Sequence, residues 1–268
     1  MRTLRNISIF LVVLAVLLIG ILAALMHANR SNDIEDITGR NMTTQTRAVG
    51  AQVVAIETDG AVDVSVHQGA VASVEIGAEQ RMLPKITTRQ EGNTLYIDTR
   101  GLMLGNIRPM HADVTLPALQ KIAQHGSGDL KVAGFSGDRI EVAMHGSGDM
   151  HLAGQYKQIV VAVHGSGDLQ LEGGSSEQIG VEVFGSGNVV ATGQTKTIQM
   201  AIRGSGDIDT SKLPADLLAV DIDGSGDASI FARQAAKINL RGSGDVTVHG
   251  APGQREVSET GSGSVRFE

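Results

Sequence analysis

A four-residue motif, Gly-Ser-Gly-Asp, recurs eight times in this chain at nearly constant spacing. Six copies are complete, one ends in Asn188 and one ends in Ser264. Successive copies start 18 to 20 residues apart. A fixed short period over this length is typical of a solenoid, in which each repeat forms one coil stacked on the previous one. The predicted structural corners are Gly126, Gly128, Gly146, Gly148, Gly165, Gly167, Gly185, Gly187, Gly204, Gly206, Gly224, Gly226, Gly242, Gly244, Gly261 and Gly263.

Apolar residues alternate with other residues on both sides of each motif. In the third copy, Ile159, Val161 and Val163 precede the motif, and Leu169 and Leu171 follow it. Period-two alternation around a glycine corner indicates two short strands per coil, each with one face directed inward. Spacings that vary from 18 to 20 argue against a strict left-handed hexapeptide helix, whose coils come in multiples of six. We therefore predict an all-β chain, a right-handed parallel β-helix with coils of about 19 residues.

Polar residues mark both ends of the repeat. The inward position before the motif holds Gln124 in the first copy and Glu259 in the last, which predicts exposed capping coils. Residues 49–118 lack the motif but still alternate, so they are predicted to form irregular opening coils. Together with the repeat coils at 119–268 they make one β-helix domain over 49–268. Residues 31–48 are polar and predict a flexible stalk.

Residues 1–30 have the pattern of a signal anchor or a signal peptide. Arg2 and Arg5 precede an apolar run over residues 7–26, long enough to cross a bilayer. The positive charges before the run predict a cytoplasmic N-terminus and export of the rest to the cell envelope, either periplasm or cell surface. Cleavable signals have shorter apolar runs, so a retained membrane anchor is favoured and cleavage stays open.

Charge and composition exclude several classes of partner and site. Residues 31–268 carry 19 basic and 29 acidic side chains, so phosphate backbones are repelled and nucleic acid is not an expected partner. The chain has no Cys, which excludes disulfides and thiolate metal sites.

Three segments resemble a known family. They are "GAVDVSVHQG", "ADVTLPALQKIAQHGSGDL" and the repeated "GSGDL-x-L-x-G" units. Over residues 50–268 the chain resembles the putative auto-transporter adhesin, head GIN domain family. The resemblance implies a right-handed β-helix on an exported bacterial protein with an adhesin-like role. It supplies no catalytic residues, and no cofactor is expected.

The fourth residue of the motif forms a column of acids: Asp129, Asp149, Asp168, Asp207, Asp227 and Asp245. One interpretation is a ladder of calcium sites, because calcium prefers several carboxylate and carbonyl oxygens. The favoured interpretation is structural: glycine permits the corner, and the Asp caps nearby backbone N–H groups. Asn188 supports it, since an amide oxygen caps a corner as well as a carboxylate but binds calcium less well.

Two further columns face outward before the motif. His125, His145 and His164 predict a surface ladder of imidazoles about 4.8 Å apart, with a shared metal ion or a pH-sensitive patch as alternatives. The other column holds Ala123, Ala143, Ala162 and Ala201, a stripe suited to packing against a partner.

No catalytic motif is present, and each acidic motif is repeated instead of unique. The expected function is a non-enzymatic, extracytoplasmic binding or adhesin-like module, or an envelope scaffold, that presents flat faces to an envelope protein, a surface glycan or a second copy. The alternatives are a calcium-binding structural module and a polysaccharide lyase or hydrolase. The lyase or hydrolase alternative needs sugar-binding aromatics, and the chain has only two Tyr and five Phe.

Overall fold

The computed structural model describes residues 39–99 and 107–268. These residues form an all-β solenoid of about seven turns, without an α-helix and with one 3-10 turn at Leu83–Lys85. The first eight strands are β1 Met42–Arg47, β2 Ala55–Gly60, β3 Asp63–Gln68, β4 Ser73–Glu79, β5 Ile86–Glu91, β6 Thr94–Thr99, β7 His111–Leu116 and β8 Lys121–Gly126. The remaining strands are β9 Leu130–Gly146, β10 Met150–Gly165, β11 Leu169–Gly185, β12 Val189–Gly204, β13 Ile208–Gly224, β14 Ala228–Gly242, β15 Val246–His249, β16 Gln254–Gly261 and β17 Val265–Phe267.

Strands β9 to β14 are the regular coils, and each runs from one glycine corner to the next. Neighbouring coils pair in parallel and in register, as in the row Ile159, Ile179 and Ile198. These three side chains are at most 1% exposed. The predicted inward alternation is therefore confirmed, because each inward position stacks on the same position of the next coil and the rows form one continuous core.

The base of the solenoid is built in a different order from the chain. Strands β6 and β7 form the lowest coil, β2 and β3 stack on it, and β8 with the start of β9 stacks next. Strands β1, β4 and β5 pair antiparallel around this base, β4 with β7 and β1, and β5 with β6. Antiparallel strands thereby cover edges that a parallel stack would leave open.

Two expectations about this region need correction. Gln124 does not lie in an exposed capping coil: it is 3% exposed, because β2 stacks beneath β8. Residues 42–47 were assigned to the polar stalk, but they form β1 because β4 offers an unpaired edge. The expectation for Glu259 needs no correction, because all eight residues of β16, including Glu259, are exposed.

The predicted anchor at residues 7–26 lies outside the described residues. Within residues 39–99 and 107–268, no helix has the length and apolar character needed to span a bilayer.

Candidate functional site

Each Gly-Ser-Gly corner of the repeat has two glycines: the backbone conformation favours the first, and the close approach of the coil beneath constrains both. Gly146 has a φ of +137°, a conformation that residues with a Cβ rarely adopt. Gly148 has no such φ, but a Cβ there would collide with the carbonyl oxygen of Gly128 in the coil beneath. The corners therefore approach each other too closely for side chains, which explains why the motif repeats wherever one corner stacks on another.

The Asp side chains of the motif connect neighbouring coils. The Oδ1 atom of Asp149 accepts the backbone N–H of Asp168 at 3.0 Å, and Asp129 accepts the N–H of Asp149 at 3.1 Å. The carbonyl of Asp149 also accepts the N–H of Leu130 at 2.9 Å. The carboxylate thus satisfies an N–H that the turning backbone leaves without a carbonyl acceptor.

The same bond repeats along the whole stack, and we call this column the corner ladder. Its members are Asp63, Asp129, Asp149, Asp168, Asn188, Asp207, Asp227, Asp245 and Ser264, joined by N–H···Oδ1 distances of 2.7 to 3.1 Å. Asn188 fits because its Oδ1 accepts the N–H of Asp207 at 3.0 Å. An acceptor oxygen, not a charge, is what the position requires.

Asp63 belongs to a ninth corner that the sequence analysis missed. Gly60-Ala61-Val62-Asp63 stacks under Gly126-Ser127-Gly128-Asp129, and the N–H of Asp129 is 3.0 Å from Asp63 Oδ1. Val62 takes the place of the second glycine. The signal was the Gly-x-x-Asp spacing followed by alternating Val64 and Val66.

The corner ladder shows no convergent metal site. In the part of the chain that the structure describes, no group of three or more His, Asp or Glu side chains is arranged to hold an ion. One oxygen of each acid already accepts a backbone N–H. The calcium interpretation therefore relies on the second oxygens, which line a groove with Lys131 and His151.

The three histidines form a stack of rings, which we call the ring column: His125, His145, His164 and Phe184. Successive ring centroids are 4.8, 4.9 and 4.7 Å apart, with interplanar angles of 15° or less. The guanidinium of Arg203 lies 5.1 Å from the Phe184 centroid. Parallel rings hold their nitrogens side by side, and this geometry does not converge on one shared ion.

Partial burial lowers the pKa of His145, and the neighbouring imidazoles of His125 and His164 lower it further by charge repulsion. The carboxylate of Glu57 is 3.7 Å from His125 at one end of the column. Like charges on neighbouring rings about 4.8 Å apart repel by about 0.9 kcal/mol in bulk water.

Beside the ring column runs a shallow trough of about 560 Å³ on the outer wall. Its floor includes Ala162 and Ala201 from the predicted alanine stripe, with Glu182 between them in the register. Val160 at its side is 38% exposed. Ala162 and Ala201 therefore lie on the surface with one acid between them, whereas Ala123, at the start of the predicted stripe, is only 6% exposed.

Tyr156, Phe135 and Tyr96 give little surface for sugar stacking. Tyr156 is 1% exposed, its hydroxyl donates to the Leu119 carbonyl at 3.0 Å, and burial raises its pKa. Phe135 is also 1% exposed. Tyr96 is covered by the guanidinium of Arg89, 4.2 Å from the ring centroid. These residues serve packing instead of a glycan platform.

A family model described as "Putative auto-transporter adhesin, head GIN domain" matches residues 54–179 and 156–252. The chain belongs to this family. The resemblance drawn from the motifs is therefore confirmed, and this family's name points to an extracellular or envelope location. The terminal coil, β16 and β17, lies beyond the matched residues.

Solved structures share the fold of this family member. A putative adhesin from Parabacteroides merdae superposes with a TM-score of 0.80 at 17% identity, covering 85% of this chain and 96% of that chain. A putative lipid binding protein from Parabacteroides distasonis gives 0.79 at 21% identity, covering 85% and 97%. A putative adhesin from the same species gives 0.77 at 20% identity, with the same coverage. No curated protein matches the chain. Identities this low establish the fold alone.

Proposed function

We propose that this protein is a non-enzymatic, extracytoplasmic binding module, tethered by its N-terminal segment, that contacts partners through the flat outer wall of a right-handed β-helix. The trough beside the ring column carries this proposal. It crosses several neighbouring coils, and small residues such as Ala162, Gly180 and Ala201 are among those that line it. Such a floor admits a close, extended contact with an envelope protein or a surface glycan.

Charge along the trough favours polar partners. Arg139 and Lys237 lie among its lining residues together with Glu182 and Asp221, so both signs are presented at fixed spacing. Each single contact of this kind is weak. Regularly repeated contacts act together, and their combined strength grows because the second and later contacts are intramolecular.

Exposed apolar side chains add a second possible class of ligand. Leu217 is 48% exposed and Val160 is 38% exposed on this wall. A structural neighbour is named a lipid binding protein. Liposomes therefore belong among the surfaces tested, beside protein and glycan surfaces.

The test compares cells that display the full chain with cells that display trough variants. Ala162→Arg combined with Ala201→Arg fills the floor with long charged side chains, and we expect adhesion to sister cells, envelope glycans or liposomes to fall by about tenfold or more. The matched control is Gln170→Arg with Val190→Arg on the opposite wall, where adhesion should not change. Equal adhesion of both variants and the wild type would rule out the trough.

An enzymatic role is tested with the same preparations. Incubation with acidic polysaccharides should release no new reducing ends. Release that exceeds a buffer control would replace the binding proposal with the lyase or hydrolase alternative.

A further inference from the structure

The terminal coil leaves one strand with an unpaired edge. Strand β16 pairs with β14 on one side, and no strand within residues 39–99 and 107–268 pairs with its other side. All eight residues of β16 are exposed. Such an edge offers a row of backbone N–H and C=O groups to another strand.

The register identifies which backbone groups point outward. In β9, the backbone N–H of Glu141 donates to the carbonyl of Gln120, in the coil beneath, at 2.9 Å. Glu256 occupies the same row as Glu141, so its backbone faces β14. Backbone groups alternate in direction along a strand. The residues whose backbone N–H and C=O groups point away from β14 are therefore Arg255, Val257 and Glu259.

These same three residues end the inward rows of the core. Ala236, Ile238 and Leu240 of β14 are at most 2% exposed, and each pairs with one of them. In β16 the three inward rows continue with Arg255, Val257 and Glu259. The charges are placed symmetrically: a base two residues before Val257 and an acid two residues after it.

We propose that β16 pairs antiparallel with β16 of a second copy of this chain, about a two-fold axis at Val257. In that register Val257 faces its symmetry mate, Arg255 faces the mate of Glu259, and Glu259 faces the mate of Arg255. Both pairs of opposite charge are cross-strand neighbours. The interface is isologous and closed, so it produces a dimer and not a fibre.

The same side chains have local contacts in the single chain. The Arg255 Nε donates to the Pro252 carbonyl at 3.2 Å, and its guanidinium lies 4.3 Å from the Phe267 ring centroid. The Glu259 carboxylate accepts the Val265 N–H at 3.1 Å. Inward-pointing charges can also discourage edge pairing. Reversing one of these charges should weaken association if the edge is a dimer interface, and should strengthen it if the charges only block the edge.

The absence of Cys allows a direct test by single-cysteine cross-linking of the full chain. In the proposed register the two Val257 Cα atoms are about 5.5 Å apart, within the range that a disulfide spans. The control is Val190→Cys, which lies outside the trough, since Val190 and Val257 are 42% and 40% exposed. In a glutathione buffer we expect Val257→Cys to form a disulfide dimer about tenfold faster or more. Equal rates for the two variants would overturn the proposal.

Charge reversal in the Val257→Cys background tests the pairing itself. Arg255→Glu or Glu259→Arg alone places like charges opposite each other twice per dimer, and we expect cross-linking to slow by about tenfold. The double reversal restores opposite charges and should restore the rate. If the single reversals speed cross-linking, the charges serve only to block the edge, and the dimer is wrong.

Discussion

Replacing Asp149 with alanine removes the acceptor for one backbone N–H at a defined place in the stack. The Oδ1 of Asp149 is 3.0 Å from the N–H of Asp168, and the Asp149 side chain is part of the exposed corner ladder. Asparagine at the same position keeps an acceptor oxygen, as Asn188 does in its own coil. The pair of substitutions therefore separates the hydrogen bond from the charge.

The two effects differ in size. Hydrogen bonds to charged groups contribute about 1.5–3 kcal/mol, and water can solvate an exposed N–H, so Asp149→Ala should lower the free energy of unfolding by about 1.5 kcal/mol. Asp149→Asn also removes repulsion from the neighbouring acids, about 0.8 kcal/mol per pair at about 5 Å in bulk water before screening. Its net effect should lie within about 0.5 kcal/mol of zero.

Amide hydrogen exchange at Asp168 measures the bond locally. We expect exchange to be about tenfold faster in Asp149→Ala and unchanged within about twofold in Asp149→Asn. Urea unfolding of the same variants gives the global free energy. The control is Asp138→Ala, which removes a fully exposed ion pair with Lys157 at 2.7 Å and should leave stability nearly unchanged, because water screens such pairs.

The reasoning is refuted if asparagine destabilises the protein as much as alanine does. The carboxylate charge would then be required, and a bound cation would be the natural cause. Thermal melts in EDTA and in millimolar calcium decide this point, since the structural interpretation expects equal melting temperatures in both.

Three further predictions follow from the corners and the ring column. Gly146→Ala and Gly148→Ala should each destabilise the protein by about 3 kcal/mol or more in urea titrations, because the added Cβ meets a carbonyl oxygen of the coil beneath. Gly180→Ala, whose Cβ would have nothing within 4 Å, should be neutral or stabilising, and equal effects at all three positions would contradict the stacking argument. The lowered pKa of His145 means that the folded protein binds fewer protons than the unfolded chain, so its contribution is complete above about pH 6.5 and is lost as the pH falls through the folded-state pKa. Melting temperatures at several pH values should fall with acid less steeply in His145→Gln than in the wild type.

The regular coils could be predicted because every constraint on them repeats. Ile159 and its equivalents face inward at the same offset from each corner, so one coil defines the others. Gln124 shows where this reasoning fails: its polarity suggested an exposed end, but the coil beneath it comes from strands β2 and β3, more than fifty residues earlier in the chain. A pairing of that range leaves no periodic signal.

The role of the corner ladder could be predicted only in part. Its structural interpretation came from residue preferences alone, which suggest that Asp149 caps a nearby backbone N–H. The structure shows that the donor is the N–H of Asp168 in the next coil, which the Oδ1 of Asp149 accepts. Only the stacking register shows that.

The interleaved base determines the order in which the solenoid can assemble. The coil of β2 and β3 lies between β6–β7 and β8–β9, so its lower neighbour is complete only when residue 116 has been synthesised. From that point the chain and the stack advance in the same direction, and every further 18 to 20 residues supply one coil with a finished template beneath it. The upper coils can therefore form one after another in chain order, while strands β2, β3, β6 and β7 must all be present before the base is complete.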